Sequence, residues 1–159
     1  MKILMDSRES ADPHPWLAHF SEDVTIERGT LETGDFALAA LPDAAVVERK
    51  AVGDLLACLG RERERFEREL QRGRYVGRLV VVCDGSVADL LCAAGRWGGG
   101  MSDASIIGTL AAWQRRYSPF FFAGSVRVAA EFTERLLRGQ IAEAQRTARA
   151  VAKAEAPTP

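Results

Sequence analysis

The sequence predicts an α/β domain in which helices flank a central mixed sheet. Short apolar runs alternate along the chain with longer segments whose apolar residues recur at helical spacing. The 159 residues match the size of one domain, and 47% hydrophobic with 27% charged residues is ordinary for a soluble globular protein. No apolar run approaches the roughly 20 residues of a membrane span, so we expect no membrane partner.

The first half of the chain contains four predicted strands. KILMD (residues 2–6) forms the first, and a proline-rich turn and a short helix that carries Trp16 and Phe20 follow it. We expect VTIER, GDFALAA and AAVVERK to form a meander, because LETGD and LPDA supply the turns. Asp54 is expected to begin and cap one long helix. The core positions of that helix are Leu55, Leu56, Leu59, Phe66 and Leu70.

The second half contains two further strands between helices. RLVVVCDGS predicts a fully buried strand, with Ser86 capping a helix that ends near Arg96. A helix over 103–117, the strand PFFFAG and a last helix from Ser125 follow. The alanine-rich end favours helix beyond Gly139, and AEAPTP is expected to fray. We therefore divide the chain into a domain over 1–140 and a helical extension with a frayed tail over 141–159.

Several classes of site are not expected. The N-terminal MKILMDSRES becomes charged too early for a signal peptide, which predicts a cytoplasmic protein. The three cysteines show no CxxC spacing, so they are expected to be reduced thiols in the core. His14 and His19 lack a third ligand at suitable spacing, so no zinc site is expected.

Basic residues are almost always arginine in this chain. It has 18 Arg and 3 Lys, and Lys50 is the only lysine away from the termini. Residues 61–74 hold six Arg and four Glu, which predicts either an ordinary solvated helix or a substrate-binding surface that includes Arg61 and Arg65. Trp97, beside three glycines, is either a wedge that stacks on an exposed base or a hydrophobic anchor.

Four acidic residues are predicted to converge at the ends of strands. Asp6 ends the first strand, Asp35 precedes the third, Glu48 lies near the end of the fourth, and Asp54 begins the next helix. Several carboxylates at one sheet edge repel each other and lose solvation, so a cation is expected among them. Oxygen ligands favour Mg²⁺ or Mn²⁺, and the candidate ligands are Asp35, Glu48 and the backbone carbonyl of Arg49, with Asp6 in support.

The Glu-Arg-Lys sequence places an acid and an amine together. On a strand, the side chains of Glu48 and Lys50 point to one face and that of Arg49 to the other. The compact ammonium of Lys50 suits contact with water or a scissile phosphate. An aspartate on the preceding strand, followed by Glu-x-Lys, predicts metal-assisted hydrolysis of a phosphodiester.

These residues carry a resemblance to a known family. Gly34-Asp35, then Glu48-Arg49-Lys50 after twelve intervening residues, then Asp54 resemble the GD…ERKxxxD signature of the XPF family of structure-specific DNA endonucleases. LMDSRES resembles the opening strand and DxRE element of that family, which includes Asp6, Arg8 and Glu9. RYVGRLVVVCDG and SPFFFAGSVRVAAEF resemble its later strands and final helix.

The resemblance implies a restriction-endonuclease-like three-layer fold that uses Mg²⁺ or Mn²⁺ to cut one strand of branched or flap DNA. It also implies a homodimer. The family usually carries helix-hairpin-helix modules after the nuclease, and because none is present in this sequence, a separate DNA-gripping partner is expected. By resemblance, Asp35, Glu48, Lys50, Arg49, Asp6 and Asp54 form the catalytic group, and Arg8 and Arg49 contact substrate or orient the acids.

Alternatives remain at several residues. Asp6 alone would serve as a turn cap, and Glu9 as a solvent-facing acid or as a partner that supports Arg8. Arg49 would either hold phosphate or pair structurally with Asp6 or Asp54. At the level of function, the main alternative is a catalytically silent nuclease-fold subunit that binds DNA or scaffolds another protein. Cleavage of RNA or of unbranched duplex is the other.

Overall fold

A computed structural model describes residues 1–9, 14–97 and 100–155 of the chain, apart from the side chains of Trp97 and Glu155. Six strands form one sheet in the order β2-β1-β3-β4-β5-β6. The strands are β1 (Lys2–Asp6), β2 (Thr25–Gly29), β3 (Phe36–Leu38), β4 (Leu41–Lys50), β5 (Leu79–Cys83) and β6 (Phe120–Phe122). The helices are α1 (Val52–Leu59), α2 (Arg63–Arg72), α3 (Val87–Trp97), α4 (Asp103–Arg116) and α5 (Val126–Glu155).

The sheet is mixed, as the sequence predicts, but the predicted meander is wrong at its first strand. β3 is antiparallel to both β1 and β4, whereas β2 runs parallel to β1 at the outer edge. Both sides of β3 are therefore occupied, and β2 cannot pair with it. The parallel strands β4, β5 and β6 complete the sheet. Because parallel pairing joins distant segments, turn residues near β2 do not reveal its partner.

The predicted long helix after β4 is two helices. The break lies at Gly60, whose backbone N–H donates to the Ala57 carbonyl at 3.1 Å and ends α1. Phe66 and Leu70 of α2 are nevertheless fully buried, as the spacing predicts. α1 begins at Val52 after Ala51, so Asp54 lies in its first turn and is not its N-cap.

Helices cover both faces of the sheet and create three layers. One core cluster includes Val46, Val81 and the buried faces of α1 to α4, while the other includes Val47, Val82 and the buried face of α5. Successive residues of β4 alternate between these cores because side chains alternate along a strand. The three-layer α/β arrangement predicted from the sequence is confirmed. It also fixes which face Glu48, Arg49 and Lys50 reach.

The C-terminal helix is continuous through the predicted domain boundary. α5 begins after Ser125, whose Oγ accepts from the Val128 N–H at 3.2 Å, and runs through residue 140 to Glu155. The division at residue 140 stays a prediction. The tail expected to fray, AEAPTP, is residues 154–159; its first two residues still belong to α5, and 156–159 lie outside the described residues. Among the described helices, none combines the length and the apolar character needed to cross a membrane.

Candidate active site

Asp35 and Glu48 meet because β3 and β4 are antiparallel, which brings the start of one strand beside the end of the other. Two hydrogen bonds fix this junction. The Asp35 N–H donates to the Val47 carbonyl at 2.8 Å, and the Arg49 N–H donates to Asp35 Oδ2 at 2.7 Å. Gly34, at a φ of 77°, makes the tight turn into the strand, in a conformation that favours glycine. Gly34 and Asp35 therefore place the Asp35 carboxylate beside the end of β4.

Glu48 and Lys50 share the face of β4 that is covered by α1 and α2, as predicted. Lys50 Nζ donates to Glu48 Oε1 and lies 5.1 Å from the ring centroid of Phe66. Glu48 is only 2% exposed. Its Oε2 is the only buried carboxylate oxygen of the described residues without a hydrogen-bond partner. One of the two carboxylate oxygens is therefore available to another positive group.

The electrostatics of this corner favour an added cation. Burial raises the pKa of Asp35 to about 6, partly against the lowering effect of the Arg49 N–H. Burial, followed by repulsion from Asp35, raises the pKa of Glu48 well above its ordinary value. For Lys50, burial lowers the pKa, but the Glu48 carboxylate outweighs it and the pKa is raised. One lysine thus compensates for the buried Glu48 and the half-buried Asp35.

Asp35 and Glu48 fit a hard divalent cation. Mg²⁺ is usually held by one or two carboxylates and completes its shell with waters and substrate phosphate. Within the described ranges, no preformed group of three or more His, Cys, Asp or Glu residues is placed for a metal. The pair with the unpartnered Glu48 Oε2 therefore matches an open Mg²⁺ or Mn²⁺ site and does not match a closed structural one.

Asp6 lines one cavity together with Asp35 and Glu48 but is already fully hydrogen-bonded. Its Oδ1 accepts from the Arg8 N–H and from Arg8 Nε, both at 2.8 Å. Its Oδ2 accepts from Arg8 at 3.0 Å and from the Leu31 N–H at 2.7 Å. The Arg8 guanidinium, helped by the Leu31 N–H against the effect of burial, lowers the pKa of Asp6 to about 2. Asp6 as a metal ligand and Arg8 as a substrate contact stay predictions, and these bonds favour a positioning role for both.

Arg49 points to the opposite face of β4, as predicted, but its partners differ from the predicted ones. Its guanidinium donates to Glu9 Oε1 at 3.2 Å and to Asp84 Oδ2 at 2.8 Å. The alternative in which Arg49 pairs with Asp6 or Asp54 is therefore wrong. Glu9 is hydrogen-bonded to His14 Nε2 at 3.1 Å and to Arg49, so the alternative that pairs it with Arg8 is also wrong.

Sequence reasoning missed Asp84 and Trp16. Asp84 Oδ1 accepts from Trp16 Nε1 at 2.7 Å, while its other oxygen holds Arg49. The Asp84 N–H donates to the Lys50 carbonyl at 3.0 Å and so joins the ends of β4 and β5. A signal for Asp84 was present, because it directly follows a strand that is buried at every position, and ends of parallel strands meet at one edge.

The basic helix α2 borders the acidic pair. A cavity of about 300 Å³ contains Asp35, Glu48 and Lys50. The residues that α2 contributes to it are Arg65, Arg68, Glu69 and Arg72, which share one helix face. Arg61, Arg65 and Asp54 line an adjoining cavity with Asp35 and Lys50. The structure thus places all three predicted residues at the rim, and Glu69 is an acid that the sequence did not indicate.

The rest of α2 behaves as a solvated helix. Arg63 pairs with Glu67 at 3.0 Å on the surface, and Arg65, although it lines the cavity, pairs with Glu62 just before the helix at 2.5 Å. The solvated-helix interpretation therefore describes Arg63, whereas substrate binding by Arg61 and Arg65 stays a prediction. The predicted role of Trp97 falls on a side chain outside the described residues.

Comparisons with known proteins agree with this architecture. The family model of the ERCC4 domain matches residues 5–136. A solved structure of XPF from Aeropyrum pernix is 23% identical with a TM-score of 0.69, and a structure of that protein in complex with DNA is 21% identical with the same score. Both cover 89% of this chain, which spans 65% and 66% of theirs, just under two thirds. No curated protein sequence matches the chain.

Proposed function

Because the chain belongs to the ERCC4 domain family, as its resemblance to the XPF nucleases predicted, we propose that it is a divalent-metal-dependent DNA endonuclease. One observation carries the proposal. Glu48 is buried with an unpartnered oxygen, beside Asp35 and a charged lysine, in a cavity bordered by arginines. Such an arrangement is costly for folding alone and is typical of a site that completes itself with a cation and an anionic substrate.

Asp35, Glu48 and the Arg49 carbonyl would hold Mg²⁺ or Mn²⁺. When bound, the cation supplies charge neutralisation at the phosphate and lowers the pKa of water to make a nucleophile at neutral pH. The protein fixes the Asp35 carboxylate in advance through the Arg49 backbone N–H, and Lys50 holds one oxygen of the Glu48 carboxylate. The Glu9 and Asp84 contacts of Arg49 hold the end of β4 in register on its other face.

Lys50 supplies a fixed positive charge beside the scissile phosphate. Its ammonium is confined between Glu48 and the Phe66 ring and remains protonated, since its pKa is raised. A preorganised charge in a partly dry site stabilises negative charge that develops on the phosphoryl oxygens at little reorganisation cost. A planar guanidinium would not fit this narrow contact in the same way.

The proposed substrate is DNA with a branch or flap. The arginines of α2 provide phosphate contacts that are independent of sequence, which suits recognition of shape. Duplex grip would come from a second copy in a homodimer or from a separate DNA-binding partner, and the site of action is intracellular DNA.

Cleavage of labelled flap, fork, blunt duplex and RNA substrates in Mg²⁺ or Mn²⁺ tests this proposal. We compare wild type with Asp35→Asn and with Asp43→Asn, which alters an exposed acid near the start of β4. Wild type and Asp43→Asn should cut flap or fork DNA, and Asp35→Asn should not. Equal cutting by all three would contradict the assignment. Binding of branched DNA without cutting by any of them would favour a silent scaffold.

A further inference from the structure

Another cavity, distinct from the two described above, adjoins the active site along α2. It has a volume of about 860 Å³, and four of its lining residues are arginines while none is acidic. We call it the arginine groove. Its residues are Arg68, Gln71, Arg72, Arg74, Tyr75, Arg116 and Tyr117.

The groove is continuous with the active site. Arg68 and Arg72 line both this groove and the cavity that holds Asp35, Glu48 and Lys50. They lie one turn apart on α2, and Arg74 follows in the turn beyond the helix. A polyanion at Lys50 therefore finds further positive charge in one direction, along α2 and toward α4.

The arginines of the groove contribute little to the stability of the fold through ion pairs. Arg68 is 4.0 Å from Glu64, and both side chains are largely exposed. For Arg72, Arg74 and Arg116, no ion pair is present within the part of the chain that the structure describes. Clustered like charges repel each other and destabilise the fold unless an anion joins them. This distribution contrasts with the rest of α2, where arginines pair with glutamates.

Tyr75 gives the groove an aromatic surface. It is 92% exposed, the largest value among the exposed large hydrophobic residues of the described chain. Its turn is held firmly, because the Gly77 N–H donates to the Asp43 carbonyl at 2.7 Å, and a Cβ at Gly77 would lie 2.5 Å from the Ala44 carbonyl oxygen. Because the backbone that carries the exposed ring is held in place, binding a flat ligand on the ring costs less entropy than binding on a mobile loop.

We propose that the arginine groove binds single-stranded DNA adjacent to the scissile phosphate, with one unpaired base stacked on Tyr75. The inference rests on the proposed nuclease function and specifies its substrate. Arginines that track a backbone, interleaved with an exposed aromatic ring, form the usual platform for single strands. Bases in an intact duplex are already stacked on each other, so Tyr75 would gain nothing from blunt duplex. The groove thus selects a substrate with an unpaired arm.

Binding of a fluorescent single strand of about 12 nucleotides tests the groove separately from catalysis. Anisotropy is measured in EDTA, so that failure of the nuclease proposal does not affect it. Tyr75→Ala should weaken binding about tenfold, whereas Tyr75→Phe, which keeps the ring, should bind like wild type. Arg116→Gln should reduce the slope of log K against log salt by about 0.7, the value for one phosphate contact on a single strand.

Matched controls separate stacking from general effects. Arg149→Gln removes an exposed arginine from α5 and should leave the salt slope unchanged. A strand that carries 2-aminopurine reports stacking directly, because its fluorescence should be quenched by wild type and Tyr75→Phe but not by Tyr75→Ala. Thermal melting verifies that each variant is folded.

Three results would overturn the inference. Tyr75→Ala and Tyr75→Phe could bind the single strand equally well, or wild type could fail to bind it. Tyr75→Ala could also weaken binding of blunt duplex as much as binding of the single strand. Cleavage discriminates between the two proposals. If wild type binds the single strand but cuts no substrate, only the proposed nuclease function is contradicted. Normal cutting and flap preference in Tyr75→Ala contradicts only the groove.

Discussion

Asp6 and Glu48 are two buried carboxylates in one cavity that the protein treats in opposite ways. They are 1% and 2% exposed. Four donors satisfy Asp6, and its pKa falls to about 2. Glu48 has Lys50 as its partner and keeps one oxygen without a hydrogen bond, and its pKa is raised by burial and Asp35. The carboxylate of Asp6 is thus fully hydrogen-bonded, whereas that of Glu48 lacks a partner for one oxygen.

This difference distinguishes Asp6, which supports the fold, from Glu48, which belongs to the candidate site. Buried polar groups are almost always hydrogen-bonded, and exceptions concentrate where function requires them. Asp6 ties the end of β1 to Leu31, and its own backbone N–H reaches the Asp35 carbonyl at 2.8 Å. Asp6 therefore supports the strand that presents Asp35. The corner formed by Asp35 and Glu48 is where binding energy remains to be gained.

The largest expected effect comes from removing the partner of Glu48. Lys50→Met keeps most of the side-chain volume but removes the fixed charge, so cleavage should fall by about 10²–10³-fold. Initial rates on a flap substrate measure this change. Lys2→Met, which changes an exposed lysine on β1, serves as the control and should cut normally. Cutting by Lys50→Met within about tenfold of wild type would remove Lys50 from the mechanism.

The next effect is on stability, at Asp6. Asp6→Asn replaces an acceptor of Arg8 with a group that also carries donors, and should lower the free energy of unfolding by about 2–3 kcal/mol. Urea denaturation at neutral pH measures it.

The effect of Asp6→Asn should depend on pH in a defined direction. The folded-state pKa of about 2 lies below the ordinary value of 3.8, so the contribution of Asp6 is complete above about pH 4. It is lost as the pH falls toward 2. The difference between wild type and Asp6→Asn should therefore shrink over that range. A difference that stays constant from pH 6 to about pH 2 would contradict the charge-based account.

A smaller loss is expected on the Arg49 face of β4. Asp84→Asn keeps an acceptor for Trp16 Nε1 but removes the negative charge that holds Arg49. Because this pair is largely buried, the free energy of unfolding should drop by about 1–2 kcal/mol. Urea denaturation followed by tryptophan fluorescence measures it. If Asp84→Asn strongly reduced cleavage but left the free energy of unfolding unchanged, Asp84 would act in the site, like Glu48, and would not support the fold, like Asp6.

The smallest effect is expected from Asp35→Asn without metal. The amide oxygen can still accept from the Arg49 N–H, and repulsion with Glu48 disappears, so stability in EDTA should stay equal or rise by up to about 1 kcal/mol. Thermal melting in EDTA checks this. A loss of more than about 2 kcal/mol would show that Asp35, like Asp6, serves the fold.

The sequence predicts the strand that carries Glu48 and Lys50 better than its surroundings. Asp35, Glu48 and Lys50 were found because strand periodicity and a known motif depend on local spacing alone. The pairing of β2 with β1 and the partners of Arg49 depend on chain segments that meet only in the folded state. The break at Gly60 was missed because the helical spacing of apolar residues continues across it. Asp84 shows that an acid after a buried strand deserves the same weight as a motif residue.

Mn²⁺ binding to the metal-free protein tests the central contrast most directly. Calorimetric titration is run on wild type, Asp35→Asn, Glu48→Gln and Asp6→Asn, each verified as folded at the measuring temperature. We expect wild type and Asp6→Asn to bind Mn²⁺ with similar affinity, and Asp35→Asn and Glu48→Gln to lose binding. Loss of binding in Asp6→Asn with retention in Glu48→Gln would contradict the assignment of the under-satisfied corner as the metal site.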